Sequence, residues 1–425
     1  MQATAILVLL AVAVVCLLAP LPGVLRALAP PVLAGVALGA GLVAPAAAEA
    51  GIRPLLAPLA FVVAAVPMAV LLDRLGFFEE LAARVAGGRR FVGALWFLAA
   101  VLVATLNLDA AVVLLTPLYV RIARSRGVSA FALGLQPALL SGLASSALPI
   151  SNLTNLIVAG RLHLGAAAFV AHLGVPDALA VGVGWLAYRA SYERIAAVGP
   201  STSPGDGPPR VATARRLTSR AATGYESGRL RSPEAILAVG GAICVTVVAG
   251  FVVVPTFGGA PYEVAAGADL VLAALCARLP LRVLPVGSVL VVLGLGVLAT
   301  GAAAHLPVPA LLGDASPGGL ARAAFASAAV ANVMNNLPTV LVALPHLGER
   351  ASWTAWAVLF GTNAGTLFVP SGSLAVLLWL ATIRRLGLDV REQHYVRAAW
   401  MVAAPAFAAG AGALVLLRLV LGPSA

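Results

Sequence analysis

Residues 332–339 read Asn-Val-Met-Asn-Asn-Leu-Pro-Thr and lie in the middle of an otherwise apolar stretch. A second polar run, Pro-Ser-Gly-Ser, follows at residues 370–373. The first half of the chain has the same two features, Asn-Leu-Asp at residues 107–109 and Pro-Ile-Ser-Asn-Leu-Thr-Asn at residues 149–155. Polar groups at membrane depth are costly unless they line a cavity enclosed by protein or filled with water. Because these interruptions occur once in each half, they predict two related halves that share an internal polar site.

The composition is that of a helical membrane protein. Of the 425 residues, 61% are hydrophobic and only 10% are charged, and the mean hydropathy is +1.02. Soluble domains carry about 25% charged residues. Apolar segments of about 20 residues, the length that crosses a hydrocarbon core, recur along the whole chain. We therefore predict an all-α polytopic membrane protein.

All 27 basic residues are arginine, and together with 16 acidic residues they give a formal charge of +11. This excess does not indicate nucleic acid, because the arginines lie between apolar segments rather than in one stripe with aromatic residues. It is typical of loops that set membrane topology by the positive-inside rule. The cysteines Cys16, Cys244 and Cys276 show no metal-binding or disulfide spacing. We expect no metal site, no cofactor and no nucleic-acid partner.

The apolar segments predict membrane spans, two re-entrant hairpins and two broken helices. Hairpins are expected at residues 91–120 and 319–345, whose middles are polar. Segments 131–162 and 352–383 are too long for one straight crossing and carry proline and polar residues near their middles, so they are predicted to be broken helices. The spans are expected at residues 2–19, 23–45, 51–72, 131–162, 164–188, 234–254, 262–279, 281–302, 352–383 and 397–421.

This order divides the chain into a first transmembrane repeat at residues 1–190, a linker at 191–232 and a second transmembrane repeat at 233–425. Each repeat is predicted to contain three scaffold spans, a hairpin, a broken helix and one further span. Since that is an odd number of crossings, the second repeat is expected to be inverted relative to the first. The linker is rich in arginine, proline and glycine and is expected in the cytoplasm. The expected location is the cell inner or plasma membrane.

Asp109 lies inside the apolar stretch Leu-Asn-Leu-Asp-Ala-Ala-Val-Val-Leu-Leu. A charged carboxylate at such a depth is costly unless it is hydrated, paired or protonated. We therefore predict that Asp109 binds and releases the coupling proton. The alternative is a helix-capping role at the hairpin tip, and one residue can do both. Asp269, in the predicted span 262–279, is a weaker candidate, and Asp177 is expected at a segment end.

Neutral polar side chains are predicted to line the binding site. Broken helices also expose unpaired backbone N–H and C=O groups, and a site rich in donors and acceptors suits a small polyhydroxylated solute or an oxyanion. Hydrogen bonding between helices is the alternative; it explains scattered Ser and Thr better than Asn-rich runs in both halves. Thr362, Asn363 and Thr366 add further hydroxyls and an amide near the second break. The predicted substrate-binding residues are Asn107, Ser151, Asn152, Thr154, Asn155, Asn335, Asn336, Thr339, Ser371 and Ser373.

The four polar runs resemble the ion-transporter superfamily, most closely the arsenical pump membrane protein family. Residues 107–117 are similar to that family's Asn-Asp-Gly-Ala-Ala hairpin with its following Leu-Thr-Pro, and residues 148–155 to its Pro-Val-Ser-Asn-Leu-x-Asn break. Residues 334–341, Met-Asn-Asn-Leu-Pro-Thr-Val-Leu, nearly match its second hairpin, and residues 371–379 resemble its Gly-Ser-Leu-Ala run. The resemblance spans nearly the whole chain in the same order. It implies efflux of arsenite or antimonite in exchange for protons, in some members with a cytosolic pump ATPase.

We therefore expect a proton-coupled secondary transporter that exports an arsenite- or antimonite-like metalloid across the lipid bilayer. The alternative is a sodium- or proton-coupled transporter of a small organic or inorganic anion. The absence of arginine and lysine from the polar runs argues against an anion, although helix N-termini can hold one. An enzyme is not expected, because the sequence has no HExxH or GxSxG motif. The sequence leaves open a homodimer and a dependence on an ATPase partner.

Overall fold

The computed structural model describes residues 2–19, 21–200, 232–257, 259–276, 284–348 and 352–422. Within these ranges every regular element is a helix, which confirms the predicted all-α polytopic membrane protein. Five helical rods in this part of the chain are long and apolar enough to cross a membrane. They are Pro45–Leu75, Ala166–Val198, Pro233–Phe251, Val286–Ala303 and Glu392–Leu421.

The first half begins with scaffold helices and continues with interrupted ones. The scaffold consists of α1 (Gln2–Leu18), α2 (Gly23–Gly39) and a rod in which a 3₁₀ turn joins α3 (Pro45–Ile52) to α4 (Leu56–Leu75). After it come α5 (Phe77–Ala86), α6 (Phe91–Leu106), α7 (Leu108–Arg126), α8 (Ala130–Leu143), α9 (Leu153–Leu162) and α10 (Ala166–Val198).

The second half repeats this order. Its scaffold consists of α11 (Pro233–Val253), α12 (Pro261–Cys276) and α13 (Val286–Ala303). After it come α14 (Val308–Leu312), α15 (Pro317–Met334), α16 (Asn336–Ala343), α17 (Trp353–Ala364), α18 (Leu374–Arg385) and α19 (Glu392–Leu421). A short helix, a hairpin, a broken helix and a long final helix thus follow the scaffold in both halves.

Some predicted boundaries were wrong. The span predicted at 23–45 ends earlier, at Gly39, because a turn follows in which Gly41 has a φ of 67°. Pro45 then starts the next rod, consistent with the preference for proline in the first turn of a helix. The final helix of the first half runs past the predicted residue 188 to Val198, where Gly199 and Pro200 stop it. Two segments lie outside the described residues. Residues 277–283 contain predicted span ends, and residues 201–231 contain most of the predicted linker.

Both predicted hairpins are interrupted at an asparagine. Asn107 separates α6 from α7, and Asn335 separates α15 from α16. Their φ angles are 86° and 77°, a region that favours glycine but that asparagine enters more readily than most residues. In each case the side-chain Oδ1 accepts a hydrogen bond from the backbone N–H two residues on, at Asp109 (3.0 Å) and Leu337 (3.3 Å). Each asparagine therefore turns the chain and caps the second helix.

The two long apolar segments are broken helices, as predicted. Between α8 and α9, Leu148 and Asn152 are extended and enclose one 3₁₀ turn that starts with a proline. Between α17 and α18, Val369 and Ser373 enclose a matching turn with nearly the same backbone angles. The residue before a proline disfavours the helical conformation, which accounts for the extended residue at the start of each turn.

Each hairpin packs on the broken helix of the other half. Helix α7 lies against α18, and α16 lies against α9. Arg124, near the end of α7, donates a 2.9 Å hydrogen bond from Nη2 to the Leu386 carbonyl oxygen, which directly follows α18. These two helices therefore end on the same side of the protein. The two halves are interlocked through their hairpins and breaks.

The two broken helices meet at Gly142, near the end of α8. A Cβ at this position would lie 2.7 Å from Leu367 Cγ and 2.9 Å from the Asn363 carbonyl oxygen. We predict that Gly142→Ala lowers the free energy of unfolding by about 1–3 kcal/mol, the usual cost of overpacking a closely packed site. Thermal unfolding of the purified protein in detergent measures this change.

Gly412→Ala in α19 is the matched control, because no atom of the described residues lies within 4 Å of a Cβ there. This variant should be neutral or stabilised by about 0.5–1 kcal/mol, since alanine is favoured over glycine inside a helix. Equal melting temperatures for the two variants would contradict the close approach of the breaks.

Candidate functional site

Asn363, one residue before the end of α17, connects the second half to the break of the first. Its Oδ1 accepts hydrogen bonds from Asn152 Nδ2 at 2.6 Å and Thr154 Oγ1 at 3.4 Å. Its Nδ2 donates to Asn155 Oδ1 at 2.7 Å and to the Ser145 carbonyl oxygen at 3.3 Å. All of these residues are buried. One amide of the second half thus satisfies four polar groups of the first.

Two carbonyl groups that follow α8 complete this arrangement. The Ser145 oxygen accepts from Ser151 Oγ at 2.7 Å and from Asn155 Nδ2 at 2.8 Å. The Leu148 oxygen accepts from the same two side chains, at 2.6 and 3.0 Å. A helix end leaves carbonyl groups without helical partners, and here the side chains of the break supply them. We refer to the connected set as the cross-half cluster, which consists of Ser145, Ser151, Asn152, Thr154, Asn155 and Asn363.

A second network ties the second hairpin to its own break. Asn332 Nδ2 donates to the Gly365 carbonyl oxygen at 2.5 Å, and Asn332 Oδ1 accepts from the Val369 N–H at 3.1 Å. Ser371 Oγ donates to the Asn332 carbonyl oxygen at 2.9 Å. Asn335 Nδ2 donates to the Ser371 carbonyl oxygen at 3.1 Å. This second-half network holds the hairpin tip and the break together as one unit.

Among the described residues, no matching hydrogen bonds tie the first hairpin tip to its own break. Three residues before its tip asparagine the chain has Ala104, where the second hairpin has Asn332. Asp109 lies in the first turn of α7 and is half-buried. Its Oδ1 atom is buried and has no hydrogen-bond partner among the described residues. An ionised carboxylate in that position is costly, so the geometry suits a carboxyl group that takes up a proton.

The structure brings together most of the predicted binding residues around the breaks. Ser151, Asn152, Thr154 and Asn155 all belong to the cross-half cluster. Asn335 and Ser371 are part of the second-half network. The two sets lie on the two breaks, which meet where α8 and α17 cross.

Among the described residues, Asn107, Asn336 and Ser373 are joined to neither set, and Thr339 reaches the second-half network only through the backbone of Asn335. The side chain of Asn107 caps its own helix, and Thr339 Oγ1 donates a 2.7 Å hydrogen bond to the carbonyl oxygen of Asn335, the residue before α16. The side chains of Asn336 and Ser373 are buried and make no hydrogen bond to another described residue. Both therefore keep donors and acceptors free for a ligand.

Three residues acquire roles that the sequence did not indicate. Asn363 was grouped with the polar residues near the second break, and Asn332 lay within a quoted run, but neither was assigned to the binding site. Asp177 was predicted at a segment end; this was wrong, because it lies well inside α10 and is 5% exposed. An amide or carboxylate within a long apolar helix was the available signal.

Interlocked broken helices, with buried polar groups gathered where they cross, define the class of protein as a polytopic membrane transporter. The chain belongs to the citrate transporter family, whose sequence model matches residues 1–361. It is 27% identical over 390 residues to an arsenical pump membrane protein of Escherichia coli, which covers 83% of this chain and 85% of that protein. It is 26% identical over 392 residues to the arsenical pump membrane protein of Yersinia enterocolitica, with the same coverage.

These comparisons confirm the resemblance that the polar runs indicated. The protein is a secondary transporter and not an enzyme, and it is a multi-pass membrane protein whose substrate is a small molecule.

Proposed function

We propose that this transporter exports a neutral, hydroxylated metalloid such as arsenite or antimonite in exchange for protons. The observation that carries the proposal is the cross-half cluster, in which every hydrogen bond between described residues joins neutral amide, hydroxyl and carbonyl groups. Arsenite is uncharged at neutral pH, so such a site holds it without a compensating cation. The relatives in Escherichia coli and Yersinia enterocolitica, both named arsenical pump membrane proteins, support this substrate.

The chemistry of the cluster matches a solute with several hydroxyl groups. Each hydroxyl is both a donor and an acceptor, and an asparagine amide offers both in one plane. A solute that enters between Asn152 and Asn363 replaces their 2.6 Å hydrogen bond with its own. A solute without hydroxyl groups leaves these buried groups unpaired, which costs about 1–3 kcal/mol for each group. The site therefore selects for polyhydroxylated solutes.

Asp109 is the residue that we propose to couple this exchange to protons. Its buried, unpartnered Oδ1 makes the protonated form preferable when the first hairpin tip is closed to water. Exposure of the tip to a less acidic compartment releases the proton. The first tip has Ala104 at the position that corresponds to Asn332 in the second tip. Fewer hydrogen bonds must therefore break when the first tip becomes exposed to water.

We further propose that the halves are inverted repeats joined by a cytoplasmic linker. The pairing of α7 with α18, and of α16 with α9, supports this arrangement, because each hairpin then reaches the centre from an opposite side. Arg124 and Arg126 end α7, and Arg384 and Arg385 end α18, so the shared end of this pair is basic and is assigned to the cytoplasm. Alternating access follows from movement of the hairpins and breaks against the scaffold helices.

Transport of a small anion is the second candidate function. The family to which the chain belongs is described as citrate transporter. In addition, Ser373 precedes α18 without accepting a hydrogen bond from its first turn, so the N–H groups of that turn lack a side-chain cap. Free N–H groups at a helix N-terminus bind anions. A sodium-dependent anion site at the second break is the form that this candidate would take.

Uptake by everted membrane vesicles distinguishes the two candidates. With an acidic interior, no ATP and arsenite outside, we expect arsenite to accumulate, and a proton ionophore that collapses the gradient should release it. If one proton is exchanged per arsenite and the membrane potential is held at zero, one pH unit supports about tenfold accumulation. Vesicles without the protein, and vesicles offered citrate or sulfate with sodium, are the controls. Sodium-dependent uptake of an anion, with no response to arsenite, would replace the first proposal with the second.

A further inference from the structure

Asp177 is a buried carboxyl group that the proposed transport cycle does not use. It lies inside the first half of α10, and its Oδ1 accepts a 2.8 Å hydrogen bond from the Ser146 backbone N–H. The preceding residue is held closely by α19, since a Cβ at Gly410 would lie 2.9 Å from the Pro176 carbonyl oxygen. Packing against α19 therefore holds Asp177 in place on α10, where it contacts the non-helical segment that follows α8.

The group that Asp177 holds is one end of a peptide unit whose other end belongs to the cross-half cluster. The N–H of Ser146 and the carbonyl of Ser145 are in the same peptide, which is trans. In a trans peptide the N–H and the C=O point in opposite directions. Asp177 therefore binds one side of this unit, while Ser151, Asn155 and Asn363 donate to its oxygen on the other side.

Little else in the neighbouring helices competes for this carboxyl group. Helices α8 and α17, which pack against α10, carry no charged residue, and residues 398–417 of α19 carry none. No ion pair between Asp177 and another described residue is present. The Ser146 N–H is thus its hydrogen-bond partner among the described residues.

We propose that Asp177 is a positioning residue that orients the Ser145 carbonyl towards the side chains of the cross-half cluster. The inference rests on the proposed function to the extent that it takes the cross-half cluster as the substrate site. With the N–H held by Asp177, the peptide cannot rotate, and its oxygen keeps the side chains of Asn155 and Asn363 in their binding orientation. The hydrogen bond on the N–H also polarises the peptide, which strengthens the oxygen as an acceptor.

Two substitutions test this role. Asp177→Ala removes the acceptor, and we expect the KM for arsenite to rise about tenfold while kcat stays within about threefold, because the loss of one buried hydrogen bond acts on binding. Asp177→Asn keeps an acceptor oxygen at the same place, and its KM should return to within about threefold of the unmodified value. Unchanged KM in Asp177→Ala would overturn the proposal. So would loss of kcat at normal KM in Asp177→Asn, which would assign Asp177 to proton coupling.

Hydrogen exchange measured by mass spectrometry on the full-length protein in nanodiscs tests the contact without any substrate. Asp177→Ala should speed exchange in peptides that cover residues 144–148, whereas Asp177→Asn should leave them protected. Asp269→Ala, on α12, is the control and should change nothing in that segment. If the unmodified protein fails to transport arsenite but these differences appear, the substrate is wrong and the positioning role stands. If Asp177→Ala does not reach the membrane, Asp177→Asn still tests the proposal. Faster exchange at residues 144–148 in this variant would refute the positioning role.

Discussion

Replacement of Asn363 by leucine is expected to reduce transport by at least about 100-fold. The amide of Asn363 bonds to Asn152, Thr154, Asn155 and the Ser145 carbonyl oxygen, so its loss leaves several buried groups without partners. Each such group costs about 1–3 kcal/mol, and about 1.4 kcal/mol corresponds to a tenfold change. The same loss should lower the melting temperature of the purified protein. Transport is measured in the everted-vesicle assay after membrane levels of the variants have been matched.

Thr362→Val is the control for this substitution. Thr362 is the preceding residue and is equally buried, but its hydroxyl donates within its own helix to the carbonyl oxygens of Val358 and Leu359. We expect this variant to keep transport within about threefold, since an exchange that removes one intrahelical hydrogen bond costs about 1 kcal/mol. If Asn363→Leu transports as well as Thr362→Val, the cross-half cluster is not the substrate site.

Asp109→Asn is expected to abolish accumulation driven by protons. Asparagine has the shape of the protonated carboxyl group but neither takes up nor releases a proton, so a pH gradient can no longer drive the cycle. With one pH unit across the vesicle membrane, the ratio of internal to external arsenite should fall from about ten to about one. Movement of arsenite down its own gradient should persist, because the cross-half cluster is unaltered. Proton-driven accumulation of arsenite and its movement down its own gradient are measured on the same vesicle preparation.

Asp269→Asn provides the matched control for this prediction. Asp269, in the predicted span 262–279, also has an Oδ1 that is buried without a partner among the described residues, and it lies on the scaffold helix α12. We expect this variant to accumulate arsenite as the unmodified protein does. Normal accumulation by Asp109→Asn would remove Asp109 from the coupling role. A loss in Asp269→Asn alone would transfer that role to α12.

The interruptions of the helices were predictable because they depend on local chemistry. Asparagine tolerates a positive φ and caps the next helix, which is why Asn107 and Asn335 mark the hairpin tips. Proline disfavours a helical conformation of the residue before it, and Leu148 and Val369, which precede the prolines at 149 and 370, are extended at the breaks. Span boundaries were less accurate, because an apolar run alone does not show where a turn such as the one at Gly41 divides it.

Sequence alone was sufficient to determine the class of the protein, the helix interruptions and the repetition of their order, since these follow from hydrophobicity and from the backbone preferences of asparagine, proline and glycine. Only the tertiary structure decided which polar groups meet. Asn363 and Asn152 are far apart in the chain, and Asp177 reaches Ser146 from a separate helix. The partner of a buried polar group depends on how helices cross, and helix crossing is set by packing over the whole molecule, at close approaches such as Gly142.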